Sequence, residues 1–213
     1  MSQLVIVGTD TNVGKTMLSS VLMSAKKDLY YWKPIQSGLL EETDSQIVAR
    51  LSDCEPSRIL PEIYRLQLPL SPHLSARLDG IEIKLSNLQL PKKEHLLIET
   101  AGGVLVPIND KSLQVDLIAT WNLPVVIAAS SSLGTINHSL LTIEALRKKN
   151  IAIAGIVMIG EENSENGKAI QHYGAAPIIA KIPRIEHINS ETLFDVYQKY
   201  FSFFVNCFFY HLF

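Results

Sequence analysis

The sequence predicts an α/β fold, a mostly parallel β-sheet flanked by helices on both faces. Three observations lead there. Short apolar runs alternate along the chain with stretches of helical length, the pattern of strands covered on both sides by crossover helices. The first run, Leu4-Val5-Ile6-Val7, passes through the loop Gly8-Thr9-Asp10-Thr11-Asn12-Val13-Gly14-Lys15-Thr16 straight into a helical pattern. The chain has 213 residues, 47% hydrophobic and 19% charged, which suits one globular domain over 1–213 with a full core.

The elements follow in order. Leu4–Val7 is the first strand, and the first helix runs from Lys15 to about Lys27. Leu29–Trp32 reads as the second strand, ended by Pro34, which removes a ladder donor. Gln36-Ser37-Gly38 is a polar loop. Thr43-Asp44 caps a helix to about Ser52, whose Ile47, Val48 and Leu51 share one face. The proline-rich stretch 56–93 is expected to be irregular, with a short helix near Pro72–Leu78. His95–Glu99 is a buried strand broken by Gly102-Gly103, and a helix follows from about Leu113 to Trp121. Pro124–Ala129 is a strand, Ser130–Gly134 a loop and Thr135–Lys149 a helix. Ile151–Ile159 is a strand, Ser164–Tyr173 a helix and Pro177–Ile182 a short strand. A helix capped by Ser190 closes the pattern near Tyr200.

Composition excludes some functions. A net charge of −2 with no basic run gives no reason to expect a nucleic-acid partner. Cys54 and Cys207 have no neighbouring ligand residues and read as free thiols of a reducing cytoplasm. The chain begins almost at once with a strand, so no leader is expected. The segment from Tyr200 to Phe213 is nearly all aromatic and aliphatic, shorter than the roughly 20 residues that span a bilayer. It lacks the basic residues of a membrane-surface helix and is expected to pack on the body or on a partner subunit.

Strand, loop and helix N-terminus in that order make a phosphate site, and the fold class sharpens to a P-loop NTPase-like one. Backbone N–H groups and the helix dipole favour an anion, Lys15 reaches terminal phosphates, and the Thr16 hydroxyl takes Mg²⁺. Gly8 lies one residue earlier than the usual first glycine, and Thr9 holds that place.

In parallel sheets ligands bind at the carboxyl ends of the strands, so the loops there are the candidates. Lys33 ends the second strand and either points into the crevice of Lys15 or is a solvated strand-end lysine. Asp44 sits at a helix N-terminus, where a carboxylate suits the dipole on its own account. Glu99 ends an apolar strand, where a carboxylate is costly unless it is ion-paired or binds metal. Thr16, Asp44, Glu99 and phosphate oxygens meet magnesium's demand for oxygen ligands. Gly102-Gly103 lets the backbone come close to phosphate or substrate. Ser132-Leu133-Gly134-Thr135-Ile136-Asn137-His138 opens a helix and can hold a second anion. His73 and His138 have no nucleophile beside them and read as structural.

Taken together these loops resemble the dethiobiotin synthetase family. The resemblance rests on Gly8–Thr16, Trp32-Lys33-Pro34-Ile35-Gln36-Ser37-Gly38, Thr43-Asp44, Ser71-Pro72-His73, Glu99-Thr100-Ala101-Gly102-Gly103-Val104 and Leu133–His138, and covers roughly residues 1–185. It implies that one amine of 7,8-diaminononanoate (7,8-diaminopelargonate) takes up CO₂ as a carbamate. ATP phosphorylates the carbamate to a mixed carbamic–phosphoric anhydride, and the second amine closes the ureido ring and releases phosphate. Lys15 and Lys33 would offset the charge of carbamate and γ-phosphate, with Thr11 and Ser37 lining the diamine and carbamate pocket beside Gly102. Mg²⁺ would be held by Thr16, Asp44 and Glu99. ATP would lie along Asn12, Val13, Gly14, Lys15, Thr16 and Met17, reaching Asp44, Glu99 and Gly102, with its base near Pro183 and Ile185. The family is a homodimer, in which Leu133, Gly134, Thr135 and Asn137 of one subunit would bind the substrate carboxylate of the other.

The chain departs from the family in three places. Asn12 stands where the family often has Glu, Ile159 where an Asn often reads adenine, and the aromatic tail matches no family motif. A P-loop switch of the partitioning or septum-positioning kind would carry a second lysine five residues before Lys15, where this chain has Asp10. A dethiobiotin synthetase-like regulatory module has no need of Lys33, Asp44 and Glu99 together. Amide synthesis on a larger acid would call for an amidotransferase domain beyond this length.

Overall fold

The computed structural model describes residues 2–161 and 163–204. A seven-stranded sheet lies at its centre. Its strands are β1 (Ser2–Gly8), β2 (Tyr30–Trp32), β4 (Ile59–Leu60), β6 (His95–Gly103), β7 (Val125–Ser130), β8 (Ile153–Ile159) and β9 (Ile178–Ile182), in the order β4-β2-β6-β1-β7-β8-β9. Every strand pair of this sheet is parallel. Alternate residues of β1 bury on opposite faces. Val5 and Val7 join one core with α3 (Pro72–Leu78), α4 (Gln114–Trp121), α5 (Thr135–Lys148) and α6 (Ser164–Gly174). Leu4 and Ile6 join the other with α1 (Lys15–Ala25), α2 (Asp44–Ser52) and α7 (Ser190–Phe204). Two buried faces explain why the strands read as continuous apolar runs rather than alternating ones.

Local chemistry sets the helix ends. Thr43 caps α2 through a reciprocal box: its hydroxyl accepts from the Gln46 N–H at 3.3 Å, while its own N–H donates to Gln46 Oε1 at 2.8 Å. The C-terminus of α1 is closed from a distance. Buried Arg58 donates to the carbonyls of Met23 (3.1 Å), Lys26 (2.5 Å) and Leu29 (2.9 Å). The Lys26 carbonyl also accepts from the Leu29 N–H at 3.3 Å, so Arg58 reinforces a turn that already closes there.

Several sequence expectations are corrected. The loop expected at Gln36–Gly38 begins as a strand, β3 (Ile35–Ser37), paired in parallel with β5 (Tyr64–Leu66) as a separate two-stranded sheet. The stretch 56–93 is therefore more ordered than expected; besides α3 it supplies β4, an edge of the main sheet, and β5. Gly102-Gly103 does not break β6 but ends it, because Gly103 is still in register with Gly8. Asn189 rather than Ser190 caps α7, accepting from the Thr192 N–H at 2.9 Å. That helix continues past Tyr200 to Phe204, with Tyr197 and Phe201 stacked at 5.7 Å in the core beside α1. The rest of the expected aromatic element, 205–213, and Cys207 lie outside the described residues. Cys54 is a free, buried thiol.

Candidate active site

The site forms at the carboxyl ends of β1, β2 and β6, beside the point where strand order reverses around β1. The loop after β1 is wound tightly. A Cβ on Gly8 would stand 2.6 Å from the Asp10 carbonyl and 2.8 Å from Lys15 Nζ, so only glycine allows this path. The displaced glycine of the sequence is thus a requirement of this loop's path. Asn12 has φ 59°, a left-handed conformation that Asn tolerates better than Glu, a physical reason for the residue found there. Asp10 is used by the loop itself: its carboxylate accepts from the Thr11 N–H at 2.7 Å, and its carbonyl accepts from Lys15 Nζ at 3.0 Å. Gly14, at φ 100°, is the N-cap of α1 and supplies no side-chain cap. The first N–H groups of the helix are therefore left for a ligand.

Behind the loop lies a buried charged cluster. Glu99 on β6 is fully buried and Lys33, just past β2, is 5% exposed. The Lys33 ammonium bridges the Asp44 carboxylate and Glu99 Oε1, the latter at 3.3 Å. Thr16 Oγ1 lies 2.5 Å from Asp44 Oδ1 and 3.0 Å from Glu99 Oε1, so its single proton serves one of the two. The other oxygen of Glu99 accepts from Ser19 Oγ at 2.6 Å and from Tyr31 OH at 3.1 Å. Two lysines and two carboxylates leave the cluster near neutral.

The charges set one another's protonation. Burial works to lower Lys33, but Glu99 and Asp44 outweigh it and hold the ammonium above its ordinary value. Burial raises Asp44, yet Lys33, with help from Thr16, holds its carboxyl below the usual range. Lys15 lacks such close partners; burial lowers it to about 8, with Glu99 only partly opposing. Burial, then the Glu99 charge, pushes Tyr31 well above the usual phenol value, so it remains an O–H donor.

A cavity of about 670 Å³ opens over this cluster. Of the residues expected to form the site, it is lined by Thr11, Asn12, Gly14, Lys15, Thr16, Lys33, Ser37, Asp44, Glu99 and Gly102. Lys33 therefore points into the crevice and is not a solvated strand end. Ser37 Oγ, shielded from solvent, has no partner among the described residues. Val13 is buried beneath the loop. Met17, Pro183 and Ile185 meet in a second cavity of about 460 Å³, which Gly14, Ile159, Glu161 and Arg184 also line. Leu133, Gly134, Thr135 and Asn137 do not line the first cavity of their own chain. Leu133 is fully exposed just before α5, and Thr135 is buried, its hydroxyl without a partner among the described residues. His73 lies outside the cavity against Ser71 Oγ at 3.0 Å, and His138 is exposed on α5.

Ser19 and Tyr31 were missed by sequence reasoning, although periodicity marks both. Tyr31 shares a strand face with Lys33 two residues on, and Ser19 lies one helical turn after Thr16. Ser71 and Pro72, part of a motif of the resemblance, form a wall of the cavity with Pro69 and Leu70, which no sequence signal marked.

The donor set suits a hard divalent cation. Asp44 Oδ1, Glu99 Oε1 and Thr16 Oγ1 converge, and all are oxygens, as magnesium prefers. No group of three or more His, Cys, Asp or Glu that could hold a metal exists among the described residues. A magnesium ion held there would draw its remaining ligands from phosphate oxygens and water.

Comparison with known proteins agrees with this architecture. A family model described as an AAA domain matches residues 2–192. Solved structures with the same fold include the cell division ATPase MinD of Pyrococcus furiosus, with a TM-score of 0.54 at 15% identity over 86% of this chain and 84% of that one. A ParA family ATPase from Chlorobium tepidum TLS gives 0.51 at 12% identity over 92% and 90%. Such identities speak for the fold alone. The curated relatives are much nearer: the "ATP-dependent dethiobiotin synthetase BioD" proteins of Brucella melitensis biotype 2, Brucella ovis and Brucella abortus are each 47% identical over 201 residues, 94% of this chain and 94% of theirs. With that likeness over nearly the whole length of both chains, this chain belongs to the ATP-dependent dethiobiotin synthetase family.

Proposed function

We propose that this chain is a cytoplasmic, ATP- and magnesium-dependent ligase that turns 7,8-diaminononanoate and CO₂ into dethiobiotin, ADP and phosphate. The observation that carries the reading is the meeting of Lys15, Lys33, Thr16, Asp44 and Glu99 in one cavity at a helix N-terminus. The whole chain, 1–213, acts as one synthetase domain.

One amine adds to CO₂ and loses a proton, leaving a carbamate. A carbamate oxygen takes the γ-phosphoryl group, and the β–γ oxygen leaves with ADP. The second amine attacks the carbamoyl carbon, the C–O bond to phosphate breaks, and the ring closes with loss of a proton. Every bond is made between substrate atoms, so the protein needs no nucleophile. Its work is positioning and charge stabilisation. Lys15 holds the terminal phosphates and Lys33 offsets the charge shared by carbamate and γ-phosphate. Thr11, Ser37 and Gly102 line the diamine and carbamate pocket, and the unpartnered Ser37 hydroxyl is available to a substrate oxygen. Thr16, Asp44 and Glu99 would hold Mg²⁺, which when bound supplies charge neutralisation to the phosphates. Asn12 through Met17 carry the nucleotide, with its base against Pro183 and Ile185.

The active form is a homodimer in this reading. Leu133, Gly134, Thr135 and Asn137 at the start of α5 bind the carboxylate of substrate held in the partner's site. The uncapped helix start and the free Thr135 hydroxyl support that role.

Purified protein given the diamine, bicarbonate, Mg²⁺ and ATP should form dethiobiotin, read by mass spectrometry with ¹³C-bicarbonate. ATP hydrolysis that is indifferent to the diamine, with no labelled product, would end the reading. Mixing inactive Lys15→Gln and Asn137→Ala proteins should restore activity through hybrid dimers. Failure of that rescue, with both single variants inactive and dimeric, would remove the shared site.

A further inference from the structure

Glu99 presents its two oxygens to different surroundings. Oε1 faces Thr16 Oγ1 at 3.0 Å and Lys33 Nζ at 3.3 Å, on the cavity side. Oε2 faces inward and takes two hydrogen bonds, 2.6 Å from Ser19 and 3.1 Å from Tyr31, whose side chains are fully buried. Neither donor is a by-product of its own element. Ser20, the next residue of α1, spends its proton on the Thr16 carbonyl one turn back, and Ser24 spends its own on the Val21 carbonyl. That is the ordinary habit of a helical serine. Ser19 gives its proton to Glu99 instead. Tyr31 lies in an apolar cluster with Leu18, Leu22 and Leu97, where a phenylalanine would pack equally well. Among the described residues its hydroxyl has one partner, and that partner is Glu99.

We infer that Ser19 and Tyr31 are positioning residues: by holding Oε2 from α1 and β2 they fix the Glu99 carboxylate so that Oε1 is the oxygen offered to the cation. This rests on the reading of Glu99 as a magnesium ligand. A carboxylate held at one oxygen by two donors cannot turn about its last torsion, short of the half-turn that exchanges its equivalent oxygens, without leaving both donors buried and unpaired. Partners behind a metal ligand of this kind are worth about 10–100-fold in metal affinity.

The test uses the full-length protein saturated with ADP, and Mn²⁺ as a spin probe for the divalent ion. Free Mn²⁺ is counted by electron paramagnetic resonance for wild type, Tyr31→Phe, Ser19→Ala and Glu99→Gln. Tyr31→Phe and Ser19→Ala each remove one oxygen and add no volume, so the fold is retained; unfolding curves check this. The inference expects the Mn²⁺ dissociation constant to rise about tenfold in each single variant and more in the double variant. ADP affinity measured in EDTA should not change, which a merely structural defect would not spare. If Glu99→Gln weakens Mn²⁺ binding while Ser19→Ala and Tyr31→Phe leave it unchanged, the inference is overturned and the Glu99 reading survives. Unchanged Mn²⁺ binding in Glu99→Gln overturns both.

Discussion

Replacing Lys33 with methionine tests the buried charge cluster most directly. The side chain keeps its unbranched stem and loses its ammonium, so Asp44 and Glu99 face each other without the bridge that joins them. Breaking a buried ion pair by removing one partner costs about 3–5 kcal/mol. Asp44 keeps a quarter of its side-chain exposure and can recruit water, which places the expected loss near the lower bound, about 3 kcal/mol. For a chain of this size that lowers the melting temperature by roughly 6–12 °C at pH 7. The pH dependence follows from the shifts. Asp44 is held below its ordinary value in the folded state, so its share of stability is present above the unfolded pKa of about 3.9 and lost as pH falls through the lower folded value. Lys33 is held above its ordinary value, so its share is present below about 10.4 and lost as pH rises through the higher folded value. The gap between wild type and variant should be flat from about pH 5 to 10 and close on both sides of that window. Mg²⁺ without nucleotide should stabilise the variant more than wild type, because no ammonium then competes for the two carboxylates. Thermal unfolding followed by circular dichroism across that range is the assay. A loss under about 2 °C at pH 7, or a gap that persists unchanged at pH 3, would refute the reasoning.

Three further outcomes follow. Lys15 is lowered to about 8 in the free protein, and only its charged form attracts phosphate, so triphosphate affinity should fall as pH rises through 8, with proton uptake on binding; calorimetry in two buffers of different ionisation enthalpy reads both. Gly8→Ala puts a Cβ within 2.6 Å of the Asp10 carbonyl and must shift the loop, so nucleotide affinity should drop at least about tenfold while the fold persists, measured with a fluorescent nucleotide and a melting curve. Arg58→Met removes the donor that the carbonyls of Met23, Lys26 and Leu29 share, and urea unfolding should show a loss of about 3 kcal/mol with activity preserved below the transition.

Much of the site was legible in the chain because its signals are local. Gly14-Lys15-Thr16 follows an apolar strand and opens a helix; Thr43 with Gln46 three residues on is a complete cap; Glu99 is an acid at the end of an apolar run. Alternation of strand and helix patterns was enough for a parallel sheet with two covered faces, since each period reports which side of one element is buried. The structure alone decided what depends on pairing between distant segments. Gln36-Ser37 has loop composition and becomes strand because Tyr64–Leu66 lies alongside. The end of α1 depends on Arg58, and the path of its leading loop on Gly8 having no side chain. The orientation of Glu99 depends on Ser19 and Tyr31, 80 and 68 residues away. Propensity and period act over a turn or two of chain. A hydrogen bond between residues so far apart forms only once the sheet has brought its strands together, and no local pattern records it.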